Sequence, residues 1–385
     1  MPRGRSSLSR RRRAASVRCV HDERDDPPVH LSASDGTQVL RGAPDRDPPT
    51  GLRAALRALR PLVGSRAIDA AGSATPLERF ANAGDPPAVA SCTMLEPVGV
   101  DRAMPLDQAP GISAFLDGIQ RSRILGHLAG SPIIFATVAA VVRVREARRL
   151  MTWDEPRVRH LVLAAREHLG EPAWAALDAT GVVPIDVTES GTLPLHPLAV
   201  RARALELVAQ ERETLERRLA AEWCHTESRW LWIDGGISGN LAIDADAPAF
   251  GVVKSHGTLY GDPQALRATL GLAVGERGPL FIVQHKARRG VASWYLRMHP
   301  SDDGDPLHGL VRVEVAPPTT LFRPDDAARA HPDADAVRAL ADRADTISAW
   351  MLAERAPIAL PDPRWDTLTY GVYACEQFLK ALIGT

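Results

Sequence analysis

The apolar positions of this chain follow two patterns, short runs and longer stretches with helical spacing. Short runs rich in aromatic and β-branched residues predict buried strands. One of them, Arg229–Ile233, leads into Asp234 and two glycines. A second, Ile112–Leu116, leads into Asp117 and Gly118. Further strands are predicted at 131–144 (one long strand or two), 250–256, 279–283, 292–298 and 309–315.

The longer stretches predict helices at 51–64, 150–169, 196–223, 341–354 and 367–383. The longest has a single apolar stripe, made by Leu205, Val208, Leu215 and Leu219. Segment 170–194 is interpreted as loop. Strands and helices in this order predict a mixed α/β fold with a central sheet flanked by helices.

Composition separates a polar N-terminal part from an apolar-rich remainder. Residues 1–50 are rich in Pro, Asp and Arg and lack periodicity, so they are predicted to be a disordered tail. Its cluster Arg10–Arg13 is either a DNA contact or simply solvated. Residues 51–110 are assigned to a helical and loop extension, and residues 111–385 to the main domain. With 385 residues, 45% of them apolar, the chain can bury a sizeable core.

Charge and cysteine content exclude several classes of protein. The net charge of −1 gives no general attraction to nucleic acid. The four cysteines are widely spaced, which favours neither a zinc site nor a disulfide framework. No apolar run reaches the roughly 18–20 residues of a membrane span, and the N-terminus lacks the apolar region of a secretory signal. These features predict a cytoplasmic protein that does not contact a membrane.

The two Asp-Gly pairs are the strongest chemical signal in the chain. A single pair more often starts a turn. Two pairs, each at the tip of a buried strand, predict that Asp117 and Asp234 meet at one edge of the sheet. Ligands that share metal ions must lie close together, so we expect their carboxylates within about 4–6 Å of each other.

A third carboxylate is expected from the long helix. Counting back from its end by the length of the following strand, at about 1.5 Å per helical residue and about 3.3 Å per strand residue, reaches residues 211–217. This favours Glu216, with Glu213 and Glu211 behind it, and makes Glu206 too distant. The alternative is a solvated helix face on which Arg212 pairs with Glu216 four residues later.

Other polar residues are weaker candidates. Lys254 follows the apolar run Gly-Val-Val and could bind a phosphate, or be an ordinary lysine at a strand end. Arg297 could line a nucleic-acid groove, although the solvent face of a half-buried strand is the better interpretation. Tyr260 could stack on a base, although packing is the default. His256, His285 and His299 lack metal-ligand spacing.

In their order, these motifs resemble the NurA nucleases, which partner HerA-type hexameric DNA-translocating ATPases. The resemblance covers roughly residues 110–385 and rests on Phe115–Gly118, the helix around Glu216, Leu231–Gly235, Gly251–Lys254 and the segment from Tyr370 onward. It implies an RNase H-like fold and a homodimer that acts on DNA with Mn²⁺ or Mg²⁺. It also implies that Asp117, Glu216 and Asp234 hold the metal and that Lys254 assists catalysis.

Two features differ from the family pattern. Ile119 and Gly236 stand where the family usually has Ser, and the family's C-terminal His is not evident, its nearest candidates being Cys375 and Glu376. The first hypothesis is a metal-dependent nuclease that hydrolyses DNA phosphodiesters during end processing. The alternatives are a catalytically impaired adaptor that binds an ATPase ring and a different RNase H-like enzyme that acts on RNA.

Overall fold

The structure is a computed structural model. It describes residues 50–63, 86–99, 102–105, 111–147, 149–188, 196–285, 288–301, 305–321, 332–355 and 370–384. The predicted tail, including Arg10–Arg13, lies outside the described residues up to position 49, as does the whole stretch 64–85.

The described ranges contain fourteen strands and seven helices. The strands are β1 (Ala88–Ala90), β2 (Thr93–Met94), β3 (Arg102–Ala103), β4 (Ile112–Leu128), β5 (Ser131–Glu146), β6 (Arg149–Ala164), β7 (Val183–Asp186), β8 (Trp230–Asp234), β9 (Ala249–Val253), β10 (Thr258–Tyr260), β11 (Glu276–Arg277), β12 (Phe281–His285), β13 (Arg288–Arg297) and β14 (Leu310–Val315). The helices are α1 (Thr50–Val63), α2 (Arg166–Leu169), α3 (Glu171–Asp178), α4 (Pro197–Thr226), α5 (Pro263–Gly271), α6 (Ala334–Glu354) and α7 (Tyr370–Ile383).

A large mixed sheet forms the centre of the fold. Strands β4, β5 and β6 make an antiparallel meander. On the other side of β4, strand β8 runs parallel to it and β9 runs parallel to β8. The sheet order is β2-β12-β13-β14-β9-β8-β4-β5-β6-β7, with β11 beside β13 and β3 beside β11. The predicted mixed α/β fold, with a central sheet flanked by helices, is confirmed.

Helix α4 covers one face of the central strands, and α6 and α7 cover the other. Val208 and Leu219 of α4 pack in one core cluster with Leu116. Ile347 of α6 and Leu379 of α7 pack in a second cluster with Phe115. Phe115 and Leu116 are adjacent in β4, so they point to opposite faces of the sheet, as strand geometry requires. No helix in the described ranges combines the length and hydropathy needed to cross a bilayer.

The helix predicted at 150–169 is wrong, because residues 149–164 form β6. Pro156 disfavours a helix interior, since it lacks an N–H and clashes with the preceding turn. In β6 it lies in a bulge: Trp153 pairs with Val142 and Arg157 with Ala140, so residues 154–156 leave the ladder. A proline is tolerated where no ladder hydrogen bond is needed.

The predicted loop at 170–194 contains two regular elements within its described part. Helix α3 is eight residues long, and its Leu177 packs in a cluster with α1. Strand β7 is four residues long and extends the sheet in parallel with the end of β6. Elements this short do not show enough hydrophobic periodicity to be separated from loop.

The described parts of the predicted extension belong to the same compact unit as the main domain. Leu52 and Leu59 of α1 are buried against Phe135 of β5. Strand β2 pairs with β12, β3 pairs with β11, and β1 pairs with β10. The described parts of residues 51–110 therefore pack against and pair with the main domain.

A buried ion cluster joins this N-terminal segment to the sheet and to α6. Arg277 of β11 is fully buried, and its guanidinium donates to Glu96 at 2.7 Å and to Asp345 at 2.5 Å. Glu96 also accepts the backbone N–H of Leu280 at 2.9 Å. Arg102 pairs with the same two carboxylates at 2.9 Å each. Breaking a buried charge pair from one side leaves an uncompensated charge, which is strongly destabilising.

Arg277→Met is therefore expected to lower the free energy of unfolding by roughly 3 kcal/mol, because it leaves Glu96 buried without its main partner. Denaturant unfolding measures this. The matched control is Arg338→Ala, which removes a largely exposed ion pair with Asp335 and should cost less than about 1 kcal/mol. Equal losses in the two variants would show that the buried cluster does not hold the segment.

Candidate active site

The parallel pairing of β4 and β8 brings the two predicted carboxylates together, although only Asp234 lies at a strand end, because Asp117 lies within β4. Leu116 pairs with Ile233, so Asp117 and Asp234 follow side by side on neighbouring strands. Strands lie about 4.8 Å apart in this direction, and residues in matching positions point to the same face. Both residues line one pocket of about 670 Å³. The pocket lies beyond the carboxyl end of β8, where ligands commonly bind to parallel strands.

The two Asp-Gly pairs are used differently. Gly235 has φ of 110° and turns the chain after β8, as predicted. Gly118 does not start a turn, because β4 continues through it to Leu128. A side chain at position 118 would collide with Glu216 Oε1 of α4. Gly118 therefore allows the long helix to bring its carboxylate against the strand that carries Asp117.

Glu216 lines the pocket with the two aspartates, whereas Glu206 and Glu211 lie outside it. Glu213 also lines the pocket. Glu211 pairs with Arg159 at 3.0 Å on β6, and Glu206 pairs with Arg203 on its own helix. Counting back from the helix end in the sequence therefore selected the turn of α4 that lines the pocket with Asp117 and Asp234.

Three ion pairs join pocket carboxylates to basic side chains that also line the pocket. Lys254, two residues beyond Val252 on β9, donates to Asp234 Oδ2 at 2.9 Å. Arg212 donates to Glu216 Oε1 at 2.5 Å. Arg217 donates to Glu213 at 2.6 Å. The predicted alternative, an Arg212–Glu216 pair, is present, but it faces the pocket and Glu216 is buried.

Burial, together with neighbouring negative charge, perturbs the two most buried carboxyl groups of the pocket. Burial raises the pKa of Asp117 well above its usual range, and Asp234 raises it further while Lys254 opposes the shift. Burial also raises the pKa of Glu216 to about 7, although Arg212 opposes the shift. Carboxyl groups perturbed by burial and by one another are typical of functional sites, and a bound cation relieves their repulsion.

Helix α7 closes the pocket from the opposite face of the sheet. It contributes Tyr373 and Glu376 to the lining. Glu376 is partly exposed and pairs with Lys380 at 2.5 Å. Cys375 is fully buried, and its Sγ donates to the carbonyl oxygen of Phe115 at 3.4 Å. Of the two sequence candidates for the missing histidine position, only Glu376 lines the pocket.

Arg297 and Tyr260 do not line the pocket. Arg297 is 1% exposed, and its guanidinium donates to four backbone carbonyls. Both interpretations from the sequence, a nucleic-acid groove and the solvent face of a strand, are therefore wrong. Tyr260 stacks on Phe281, and the guanidinium of Arg312 lies 4.9 Å from its ring centre. The packing interpretation of Tyr260 therefore agrees with the structure, and Arg297 joins loops to the sheet.

Sequence reasoning missed four features of the pocket. Arg212 and Arg217 face it from α4, Tyr373 faces it from α7, and the loop 236–240 forms one wall. The loop is held by Glu314, which accepts the backbone N–H of Ile237 at 2.8 Å, and by the Asn240 amide, which donates to a carbonyl of α4. For the arginines the available signal was their spacing of four residues from Glu216 and Glu213. The Glu314 contact joins distant parts of the chain and leaves no local pattern.

The donor set suits a hard divalent cation, since Asp117, Glu216 and Asp234 offer only carboxylate oxygens, the ligands favoured by Mg²⁺ and Mn²⁺. Within the described residues, no three acidic, histidine or cysteine side chains are already spaced to coordinate one ion. Arg212 and Lys254 hold Glu216 and Asp234 instead. The three carboxylates therefore suit a divalent metal ion. Binding of the metal requires the side chains of Arg212 and Lys254 to move away from Glu216 and Asp234.

Comparison with known proteins adds no assignment to this geometry. Neither a protein-family model nor a curated protein matches the chain.

Glu216→Gln is expected to stabilise the metal-free protein at high pH. The folded protein binds the Glu216 proton more tightly than the unfolded chain, whose ordinary value is 4.5. Stability contributed by this group is therefore present below pH 4.5 and lost as the pH rises towards 7. Glutamine does not ionise, so its advantage should be roughly 1–3 kcal/mol at pH 8 and near zero at pH 4.

Thermal unfolding in the presence of a chelator measures this difference. Glu206→Gln, on an exposed part of the same helix, serves as the control and should leave the melting temperature unchanged at both pH values. A Glu216→Gln melting temperature that falls by the same amount at both pH values would show that Glu216 is not a strained carboxylate.

Proposed function

We propose that this protein is a metal-dependent DNA nuclease of the NurA type. The observation that carries the proposal is the convergence of Asp117, Glu216 and Asp234 from two strands and a helix into one pocket. Three converging carboxylates are what two-metal phosphodiester hydrolysis requires. The raised pKa values of Asp117 and Glu216 support the proposal, because burial and neighbouring carboxylates make ionisation of these groups costly, and a bound cation would offset that cost.

The architecture supports the RNase H-like core that the NurA resemblance implies. The meander β4–β5–β6 is followed along the chain by β8 and β9, which add in parallel beside β4. The first carboxylate is on the first long strand, the second is on the helix that follows the meander, and the third ends the next central strand. The three carboxylate-bearing motifs, although separated along the chain, all contribute to one pocket. Fold-level similarity alone would not imply this function.

The side chains divide the work of the reaction as follows. Asp117, Glu216 and Asp234 would hold Mn²⁺ or Mg²⁺, which would supply an activated water and stabilise the leaving oxygen. Lys254 lies against Asp234 and, once displaced, would offer its ammonium to the phosphate. Glu376 lines the pocket from the other face and would supply a further oxygen ligand where the NurA family has histidine.

A second candidate is a catalytically impaired adaptor that binds an ATPase ring. It is favoured by the observation that Lys254 and Arg212 already neutralise two of the three carboxylates. In an adaptor these pairs would be permanent and the pocket would take no cation. A third candidate, an RNase H-like enzyme acting on RNA, uses the same residues and differs only in substrate.

Asp234→Ala is expected to abolish Mn²⁺-dependent degradation of single-stranded or end-bearing DNA while leaving the melting temperature nearly unchanged, because the side chain lies at a strand tip outside the core. Glu216→Gln should also remove most activity, whereas Glu206→Gln should retain it. Product formation on labelled DNA, with an RNA oligonucleotide of the same sequence beside it, measures these effects.

The possible outcomes separate the three candidates. DNA cleavage by Asp234→Ala at the parental rate would make Asp234 structural and contradict the nuclease. Stable folding without any cleavage by the unmodified protein would favour the adaptor. Cleavage of the RNA alone would favour the third candidate.

We also propose a homodimer that receives DNA from a HerA-type hexameric ATPase. The net charge of −1 gives weak general attraction to DNA, so delivery by a partner would compensate for low intrinsic affinity. With Arg297 buried, a DNA channel shared by two subunits would rely on Lys254 and the arginines of α4.

The unmodified chain is expected to have the mass of a dimer by light scattering at micromolar concentration, because two sites around one channel double a weak local field. It should also co-purify with a HerA-like ATPase from the same source. A monomer mass would contradict the dimer, and full processive activity of the isolated chain at physiological salt would remove the need for a partner.

A further inference from the structure

Helix α4 presents two oppositely oriented ion pairs to the pocket. Arg212 donates to Glu216, four residues later, and through its Nε to Gln120 at 3.3 Å. Arg217 donates to Glu213, four residues earlier. Both arginines line the pocket together with Lys254. Each pair thus joins one acidic and one basic side chain on the same surface of the helix.

The two arginines are held in place without being buried. The side chain of Arg212 is 27% exposed and that of Arg217 is 40% exposed. The loop beside them fixes the second, because a Cβ at Gly239 would lie 3.3 Å from the Arg217 guanidinium and Asn240 donates to the Arg217 carbonyl oxygen. A guanidinium has five N–H donors, and one carboxylate partner uses only some of them.

The charge of the pocket makes phosphate binding conditional on a cation. Five carboxylates line it, from Asp117, Glu213, Glu216, Asp234 and Glu376, against the three basic side chains. The formal excess is two negative charges, which repels a phosphodiester. One divalent cation cancels this excess and competes with Arg212 for Glu216. The arginines then have donors to offer to an incoming phosphate, which guanidinium binds in a bidentate manner.

We propose that Arg212 and Arg217 bind backbone phosphates of the substrate strand once a divalent cation occupies the carboxylates. The inference rests on the proposed nuclease function and extends it to residues that position the substrate. The two arginines are five positions apart, about 7.5 Å along the helix axis and about 140° around it, so they can contact separate phosphates of one strand that passes through the pocket. Glu213 and Glu216 orient the guanidinium groups before the strand arrives.

Binding of a fluorescein-labelled single-stranded oligonucleotide, followed by anisotropy with Ca²⁺ in place of Mn²⁺, tests the proposal without cleavage. Arg217→Ala and Arg212→Ala should each weaken binding about tenfold at low salt. Each should also reduce the slope of log affinity against log salt concentration by about 0.7, the value for one lost phosphate contact on a single strand. Arg217→Lys should keep the slope, because lysine still binds phosphate as a point charge.

Arg218→Ala is the matched control, since Arg218 is the next residue on the helix, is exposed and does not line the pocket. It should keep both affinity and slope. Salt-dependence slopes equal to that of the unmodified protein in both Arg212→Ala and Arg217→Ala would overturn this inference and leave the proposed function standing. Full binding of the oligonucleotide by the unmodified protein in the presence of a chelator would do the same. Absence of binding by the unmodified protein at every Ca²⁺ concentration would contradict the proposed function itself.

Discussion

The parallel register of β4 against β8 is the constraint on which the candidate site depends. Pairing Leu116 with Ile233 leaves Asp117, within β4, beside Asp234, at the end of β8, with both side chains on the same face. Two carboxylates so placed repel each other, and burial increases the cost. The surrounding structure responds to that repulsion: Lys254 contacts one carboxylate, and the backbone N–H of Gly118 donates to the other at 2.7 Å.

The rest of the fold keeps this crowded arrangement rigid. Buried apolar clusters fill both faces of the central strands, and α4 and α7 approach from opposite sides. The absence of a side chain at Gly118 allows Glu216 to reach the strand, and Glu314 fixes the loop that follows Asp234. The three candidate carboxylates therefore lie on two strands and a helix, which hold positions more accurately than loops do.

The sequence predicted the parts of the site that obey a local rule. The strand before Asp234 and the apolar stripe of α4 are periodic, and their lengths led to Glu216. Long-range placement was less accessible. The burial of Arg297 depends on carbonyls contributed by separate loops, and the strand nature of β6 depends on a bulge around Pro156. The role of Gly118 could not be inferred either, because an Asp-Gly pair indicates a turn unless the helix beside it is known.

The central claim is that Asp117, Glu216 and Asp234 form a divalent-cation site in which Arg212 and Lys254 pair with two of the carboxylates until the metal binds. A crystal soaked in Mn²⁺, with the anomalous scattering of the metal recorded, tests it most directly. The account predicts an anomalous peak coordinated by these three carboxylates, with Arg212 and Lys254 displaced from Glu216 and Asp234. Unchanged Arg212–Glu216 and Lys254–Asp234 pairs at saturating Mn²⁺, without a peak in the pocket, would contradict it.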